Sequence, residues 1–387
     1  MFEPMPYLEW IEGRPEAATY DLGSSAVRGR ESPAVDAVVP SPLADRDHPG
    51  PEAPSLRESL AAEYGVAPER VLVTGGATQA NMLAAAAVLG LESEDGHPEG
   101  DPDLGSEEPT PRVLVEKPGY DPLVYTPSAL GATVDRFRRP PEDDYALQPD
   151  RVAAAALAET VLATVTNRHN PSGRLADRDR LAAVADAATE AGCRLLVDEV
   201  YAPYVDGDGP PAGGDEGTAF GGPTAAGLPN TVVTGSLTKF HGLEELRVGW
   251  LVGPERVVER ARAAATHTGT LAGPSRALAR RFFSHRDELV ADSRRHLRTG
   301  AERLRSFVAG RDDLTATHAD PGCSFAFVEH DGHDGDAVAE AAWDAGVLVI
   351  PGRFFGLSEG VRLSAGGDPE EVAVGLDRFG QVLDGLG

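Results

Sequence analysis

Short β-type runs alternate with Ala- and Leu-rich stretches of helical period over most of the first 260 residues, and a chain patterned this way has few ways to fold. The runs Val71–Thr74, Arg112–Glu116, Val161–Thr166, Arg194–Asp198, Thr231–Ser236 and Val248–Val252 read as strands. Helical patterns fall at about 76–89, 151–159, 175–191 and 254–267, between or beside those strands. Such alternation predicts an α/β fold, a large and mostly parallel sheet flanked by helices. After about residue 262 the texture changes. An Arg- and Ala-rich helical stretch runs to about Ala309, short strand candidates follow near 324–329, 346–350 and 361–364, and a helix closes the chain from about 369. That second part predicts a smaller α+β domain built from 1–44 and 262–387, leaving 45–261 as the large domain. The first boundary falls in the Pro-rich stretch SPLADRDHPGPEAP. Residues 91–111 and 206–230 are dense in Gly, Pro and acid, which predicts surface loops. No internal repeat at a fixed period is present.

Charge narrows the partners. The chain holds 62 acidic and 35 basic residues, a net charge of -27, and neutralising nucleic-acid phosphates needs a basic face that this balance does not provide. No apolar run reaches the roughly 20 residues that cross a bilayer, and the start MFEPMPYLEW lacks the basic and apolar regions of a secretory signal. Cys193 and Cys323 are the only cysteines, too few for a disulfide framework or a structural zinc site, and the histidines show no metal-ligand spacing. These features predict a cytoplasmic protein without a metal. The acidity resembles that of salt-adapted proteins and also suits a GC-rich genome. Only two of the basic residues, Lys117 and Lys239, are lysine. A lysine kept in a chain that otherwise uses arginine asks for a chemical reason.

Lys239 ends Ser236-Leu237-Thr238-Lys239, just after a predicted strand. Ser-x-x-Lys is also the nucleophile motif of serine acyl-transferring enzymes, but the Ser-Asp-Asn and Lys-Thr-Gly elements those enzymes need are missing. The other reading is a lysine that forms a Schiff base with pyridoxal phosphate, and the remaining requirements of that cofactor can be looked for. A protonated pyridine nitrogen needs a buried carboxylate, which Asp198 at the end of RLLVD supplies. The ring hydroxyl needs donors, and Tyr201 and Asn170 are placed after neighbouring strands. The phosphate needs N–H groups at a helix start and a cation, matching Gly76, Ala77 and Thr78 in TGGAT and Arg247 in RVGW. Tyr120, in Glu116-Lys117-Pro118-Gly119-Tyr120, offers an aromatic ring to cover one face.

These segments, in this order, resemble the class I/II aminotransferases of the fold-type I pyridoxal phosphate enzymes, over roughly residues 45 to 365. The resemblance implies pyridoxal 5'-phosphate on Lys239, which also shuttles the proton, with Asp198 at the ring nitrogen and Tyr201 and Asn170 at the ring hydroxyl. It implies that Ala77, Thr78, Ser236 and Arg247 surround the phosphate and that Tyr120 stacks on the ring. Arg362, in Gly360-Val361-Arg362-Leu363-Ser364, resembles the family's clamp for the substrate α-carboxylate, and Asp21-Leu22-Gly23-Ser24 the segment lying over it, with Gly23 and Asn170 on the substrate side. Two positions depart from the pattern. The family's tyrosine that reaches a neighbouring subunit's phosphate is replaced by a stretch containing His48, and Arg353 stands where a small residue is common.

The implied activity is transfer of an amino group between an amino acid and a 2-oxo acid by ping-pong chemistry, in a homodimer. Decarboxylation of the threonine-phosphate type and C–S β-elimination remain open on the same scaffold, because substrate orientation selects the bond that breaks at Cα. Relatives that condense acyl-CoA usually carry His where Tyr201 stands. A transcription regulator with an aminotransferase-like domain would need a DNA-binding module, and only about 44 acidic, Pro-rich residues precede the large domain.

Overall fold

The computed structural model describes residues 6–23, 25, 39–95, 110–206, 217–316 and 322–386. Seven strands form the main sheet in the order Val71–Thr74, Gly249–Val252, Thr231–Ser236, Arg194–Asp198, Thr160–Thr166, Arg112–Lys117, Thr133–Arg138. Six run the same way, and Gly249–Val252 runs against both of its neighbours. The period-two alternation of side chains divides each strand between two cores. Leu195 and Val197 enter one with Leu181, Val184 and Phe282, while Leu196 enters the other with Leu83, Val88 and Val257. Helices therefore cover both faces, as a parallel sheet requires.

The strand Thr133–Arg138 escaped the sequence reading because it lies at the sheet edge, where TVDRFR has only Phe137 fully buried. Arg112 and Asp135 pair across its ladder at 2.6 Å. The helical stretch after 254 is three helices, Glu255–Ala265, Gly273–Ser284 and Arg286–Ala309. A short N-terminal helix, Pro6–Ile11, was not expected either.

The expectation of a surface loop at 206–230 needs correction beyond Gly217. Phe220, Thr224 and Ala225 are each 1 % exposed or less. Two carboxylates explain how such a polar segment stays buried. Glu63 accepts the Phe220 N–H, and Glu199 accepts Thr224 Oγ1 at 2.7 Å and the Ala225 N–H at 2.6 Å. Residues 207–216, and most of the other expected loop from 96 to 109, lie outside the described residues.

A second, antiparallel sheet joins Leu314–Ala316, Phe325–His330, Val361–Ser364 and Ile350–Pro351 in that order. The helices Gly335–Asp344 and Pro369–Leu386 pack on it through Val338, Ala342, Leu376 and Phe379. Tyr20–Asp21 pairs with Val347–Leu348, which ties the start of the chain to this C-terminal part.

Glu63 links three segments, since its carboxylate also takes Arg286 Nη2 at 2.6 Å and Nε at 2.9 Å with both side chains about 5 % exposed or less. Glu63→Gln keeps the shape and strands the guanidinium, so it should cost about 3 kcal/mol. Urea denaturation followed by far-UV circular dichroism measures this loss, and an unchanged midpoint would show that the pair contributes nothing.

Candidate functional site

Because six strands share a direction, their C-terminal ends share one edge of the sheet. Lys117, Thr166, Asp198 and Ser236 end four of them, and the reversed strand begins at the same edge, just after Arg247. The segments that follow Thr74, Lys117, Thr166, Asp198 and Ser236 therefore share that edge.

At one end of this edge Thr74 turns through Gly75 and Gly76 into the helix Ala77–Asp95. Gly76 has φ +103°, and a Cβ on it would lie 3.1 Å from Arg247 Nη2. Gly249 comes closer still, for a Cβ there would sit 2.4 Å from the Gly76 carbonyl carbon, so only glycine lets the reversed strand pass the turn. The first N–H groups of a helix have no helical acceptor and carry partial positive charge. Here they open beside the exposed guanidinium of Arg247, itself held at φ +49°. Ser236 Oγ lies 2.6 Å from Thr238 Oγ1 on the adjoining turn, so two hydroxyls face the same corner. Gln79 accepts the Gly75 N–H at 2.5 Å and fixes the turn.

Asp198 is 2 % exposed. Its Oδ2 accepts Asn81 Nδ2 at 2.8 Å, and its Oδ1 accepts the Val200 N–H at 3.2 Å. Burial pushes its carboxyl up to about 6, against the two hydrogen bonds, with Glu116 raising it and the Lys239 ammonium lowering it. Lys239 is half-buried on the turn beyond Ser236, whereas Lys117 lies exposed at its strand end, beside Gly356. Burial likewise pushes the Glu199 carboxyl up to about 8.

The remaining residues converge from the other sheet and the N-terminal segment. Arg362, 2 % exposed on Val361–Ser364, donates Nη1 to Asn170 Oδ1 at 2.7 Å and Nη2 to the Gly23 carbonyl at 2.8 Å. Its buried Nε has no hydrogen-bond partner among the described residues, and Phe355 lies under the guanidinium at 5.2 Å. Tyr201 is buried with its hydroxyl 2.5 Å from Ser25 Oγ, and Tyr204 donates to the Ser25 carbonyl at 2.9 Å. Tyr120 is half-buried, with Tyr7 of the N-terminal helix edge-on at 6.0 Å. Its desolvated phenol is held well above the usual range, Tyr7, Tyr201 and Asp198 adding to the effect and Arg362 opposing it. Ser24 lies outside the described residues.

Other expectations resolve simply. His48 is exposed. Arg353 turns outward to Asp336 and stacks on Phe354 at 4.5 Å. Both cysteines are buried and neither is in a disulfide, and burial pushes the Cys193 thiol up to about 11. The His330 side chain is 6 % exposed. Among the described residues no group of His, Cys, Asp or Glu is arranged to hold a metal ion.

Sequence reasoning missed Asn81, Glu116 and Ser25. Asn81 left a trace, as the one amide on the inward face of an Ala- and Leu-rich helix. Glu116 stands beside Lys117 in the quoted motif, but nothing in sequence shows that it accepts Arg139 Nη1 at 2.6 Å and the Thr166 N–H at 2.7 Å. Ser25 follows a quoted segment yet has no motif of its own.

The family model for aminotransferases of class I and II matches residues 47–379. The chain belongs to the class I and II aminotransferases. Among curated relatives, this aminotransferase is 28% identical over 364 residues to histidinol-phosphate aminotransferase of Halorubrum lacusprofundi, covering 93% of this chain and 87% of the relative. It is 26% identical over 390 residues to capreomycidine synthase of Streptomyces vinaceus, covering 98% and 93%. Among solved structures, a PLP-dependent aminotransferase from Streptococcus suis superposes with a TM-score of 0.80 at 20% identity, over 100% of this chain and 99% of that one. The N-succinyldiaminopimelate aminotransferase of Mycobacterium tuberculosis gives 0.76 at 22% identity, over 98% of each chain. The fold is that of these aminotransferases, and pyridoxal phosphate is the cofactor.

The aminotransferase's own donor set fits that group. A glycine cradle with open helix N–H groups and a guanidinium suits a phosphate. A buried carboxylate suits a protonated ring nitrogen, and a half-buried amine lies between them in the sequence of the edge.

The buried charge has a measurable consequence without cofactor. A carboxyl whose folded value is raised binds its proton more tightly in the folded state, so its neutral form stabilises the protein at low pH and that contribution is lost as pH rises through about 6. Apo Asp198→Asn should therefore be more stable than the parent by about 3 kcal/mol at pH 8, with the gap closing between pH 6 and about 4. Urea titrations across that range test it, and a gap independent of pH would contradict the apolar setting of Asp198.

Proposed function

We propose that this aminotransferase moves an amino group between an amino acid and a 2-oxo acid, with Arg362 holding the α-carboxylate and Lys239 carrying the proton. The observation that carries the reading is Arg362 itself. It is a buried guanidinium in the cleft of Asp198 and Tyr120, bonded on two nitrogens to Asn170 and Gly23 and left open at Nε. A cation so desolvated is costly unless an anion comes to it, and a planar fork takes both oxygens of a carboxylate.

The residues then divide the work. Arg362 binds the α-carboxylate and turns Cα toward Lys239, with Asn170 and the Gly23 carbonyl fixing the guanidinium plane. Pyridoxal phosphate supplies, when bound, an aldehyde for the amine and an electron sink for the charge left at Cα. With that group bound, Lys239 Nζ would take the proton from Cα and hand it back to the bound group. Asp198 would keep the ring nitrogen protonated, and Tyr201 and Asn170 would hold the ring hydroxyl. Gly76, Ala77, Thr78, Ser236 and Arg247 would anchor the phosphate, and Tyr120, with Tyr7 against it, would cover one ring face. The amino acid leaves as a 2-oxo acid, and a second 2-oxo acid takes up the amino group.

Similarity to capreomycidine synthase, and to the PLP-dependent cyclase OrfR at a TM-score of 0.74, supports a second reading in which a ring is closed instead. A panel of amino acids in single half-reactions separates the two. Transamination gives a 2-oxo acid and aminated cofactor in equal amounts, elimination or ring closure leaves the cofactor as aldehyde, and decarboxylation releases carbon dioxide.

We also propose a division near residues 45 and 262, a cytoplasmic location, adaptation to high salt, and a homodimer in which the exposed His48 segment reaches the neighbouring site. The acid surplus and the two buried thiols support the second and third of these. Light scattering that found an active monomer would refute the last.

Arg362→Lys keeps the positive charge but not the fork. Cofactor uptake and its absorbance should be retained, while kcat/KM for amino acids falls by about 2–4 kcal/mol in transition-state stabilisation. Amines without a carboxylate should lose far less, and a uniform loss would mean that Arg362 is structural.

A further inference from the structure

We propose that Asn81 is a positioning residue for the cofactor ring, and that through Thr234 it sets which way the Asp198 carboxylate faces. The inference rests on the reading of Asp198 as partner of the ring nitrogen.

Three residues from three elements make the relay. Thr234 lies on Thr231–Ser236 directly beside Asp198 in the parallel ladder, and it donates Oγ1 to Asn81 Oδ1 at 2.6 Å. An amide whose oxygen is engaged must turn its nitrogen the other way, so Nδ2 goes to Asp198 Oδ2 at 2.8 Å. The ionised carboxylate only accepts and so takes the amide nitrogen, the hydroxyl holds the amide oxygen, and between them the amide keeps the carboxylate in one orientation. All three are buried, at 0 % exposure for Thr234, 2 % for Asp198 and 7 % for Asn81. No water competes for these bonds, and an unpaired member would be costly.

The arrangement does two things for a ring nitrogen. It occupies Oδ2 from one side while the Val200 N–H occupies Oδ1 at 3.2 Å, which leaves the outward lone pairs for a third donor. It also stabilises the charged carboxylate against burial and against Glu116, both of which favour the neutral acid. A neutral acid would bond a ring nitrogen without holding its proton.

The placement of Asn81 adds a second consequence. It stands one helical turn after Ala77, on the helix whose first N–H groups face Arg247. The helix whose start adjoins Arg247 is thus the one that orients the carboxylate.

The test is the protein loaded with pyridoxal phosphate labelled with ¹⁵N in the ring. Nuclear magnetic resonance then reads the protonation of that nitrogen directly. The parent should show a protonated nitrogen. In Asn81→Leu the signal should move toward the unprotonated position, and the Kd for the cofactor, measured on the apoprotein by fluorescence quenching, should rise about tenfold, as expected for one lost bond to a charged group. Thr234→Val, which preserves volume, should move the signal in the same direction by less. It decides the matter alone if Asn81→Leu does not fold. A lower melting temperature with an unmoved ¹⁵N signal and unchanged Kd would reduce Asn81 to a packing residue and overturn the proposal. An unprotonated nitrogen in the parent would instead overturn the reading of Asp198 on which it rests.

Discussion

An acidic side chain kept away from water at the end of the strand Arg194–Asp198 is the constraint around which much of the sheet edge is organised. Placing Asp198 there costs stability, because burial resists its charge, and the surroundings offset this with an amide, a backbone N–H and a nearby ammonium. These compensating groups come from elements far apart in sequence. The helix Ala77–Asp95, the turn after Asp198 and the turn after Ser236 must all be in place before the carboxylate is tolerable. The parallel direction of the strands meets this requirement, since it delivers every strand end to one edge.

Arginine does most of the other buried polar work. Arg168 donates to the Gly173 carbonyl at 2.6 Å and twice to Tyr204, Arg139 bridges Glu116 and the Tyr145 carbonyl, and Arg286 engages Glu63 through two nitrogens. Each uses the separation of its guanidinium nitrogens to satisfy acceptors that one ammonium could not span. What a guanidinium cannot supply is a neutral amine at ordinary pH. A chain nearly free of lysine can therefore be built around arginine everywhere except where such an amine is required.

Much of this was legible in sequence. The strands around Asp198, Ser236 and Thr74 could be read because their apolar runs are short, buried on both faces and closed by Gly or polar residues, so local pattern and tertiary role coincide. Arg362, Asn170 and Gly23 were singled out, though not that they bond to one another across more than 190 positions of chain for the first pair. Thr133–Arg138 was illegible because an edge strand has little apolar signal. The buried segment from Gly217 was misread because its composition describes a loop, and the carboxylates that make its burial affordable stand at positions 63 and 199. Asn81 was passed over for a similar reason, since its meaning depends on Thr234 and Asp198, neither of which is near it in sequence.

The helix Ala77–Asp95 has a mechanical consequence. Four residues, roughly 6 Å of rise, separate Ala77, next in the chain to the Gly76 that abuts the guanidinium of Arg247, from Asn81 beside the carboxylate of Asp198. An α-helix is stiff over one turn, so the interval between these two contacts behaves as a fixed gauge rather than an adjustable gap. A molecule spanning both must match that length, and any slide of the helix along its axis would loosen one end as it crowded the other. Selection for size is thus carried by backbone geometry, apart from any side chain that recognises chemical character.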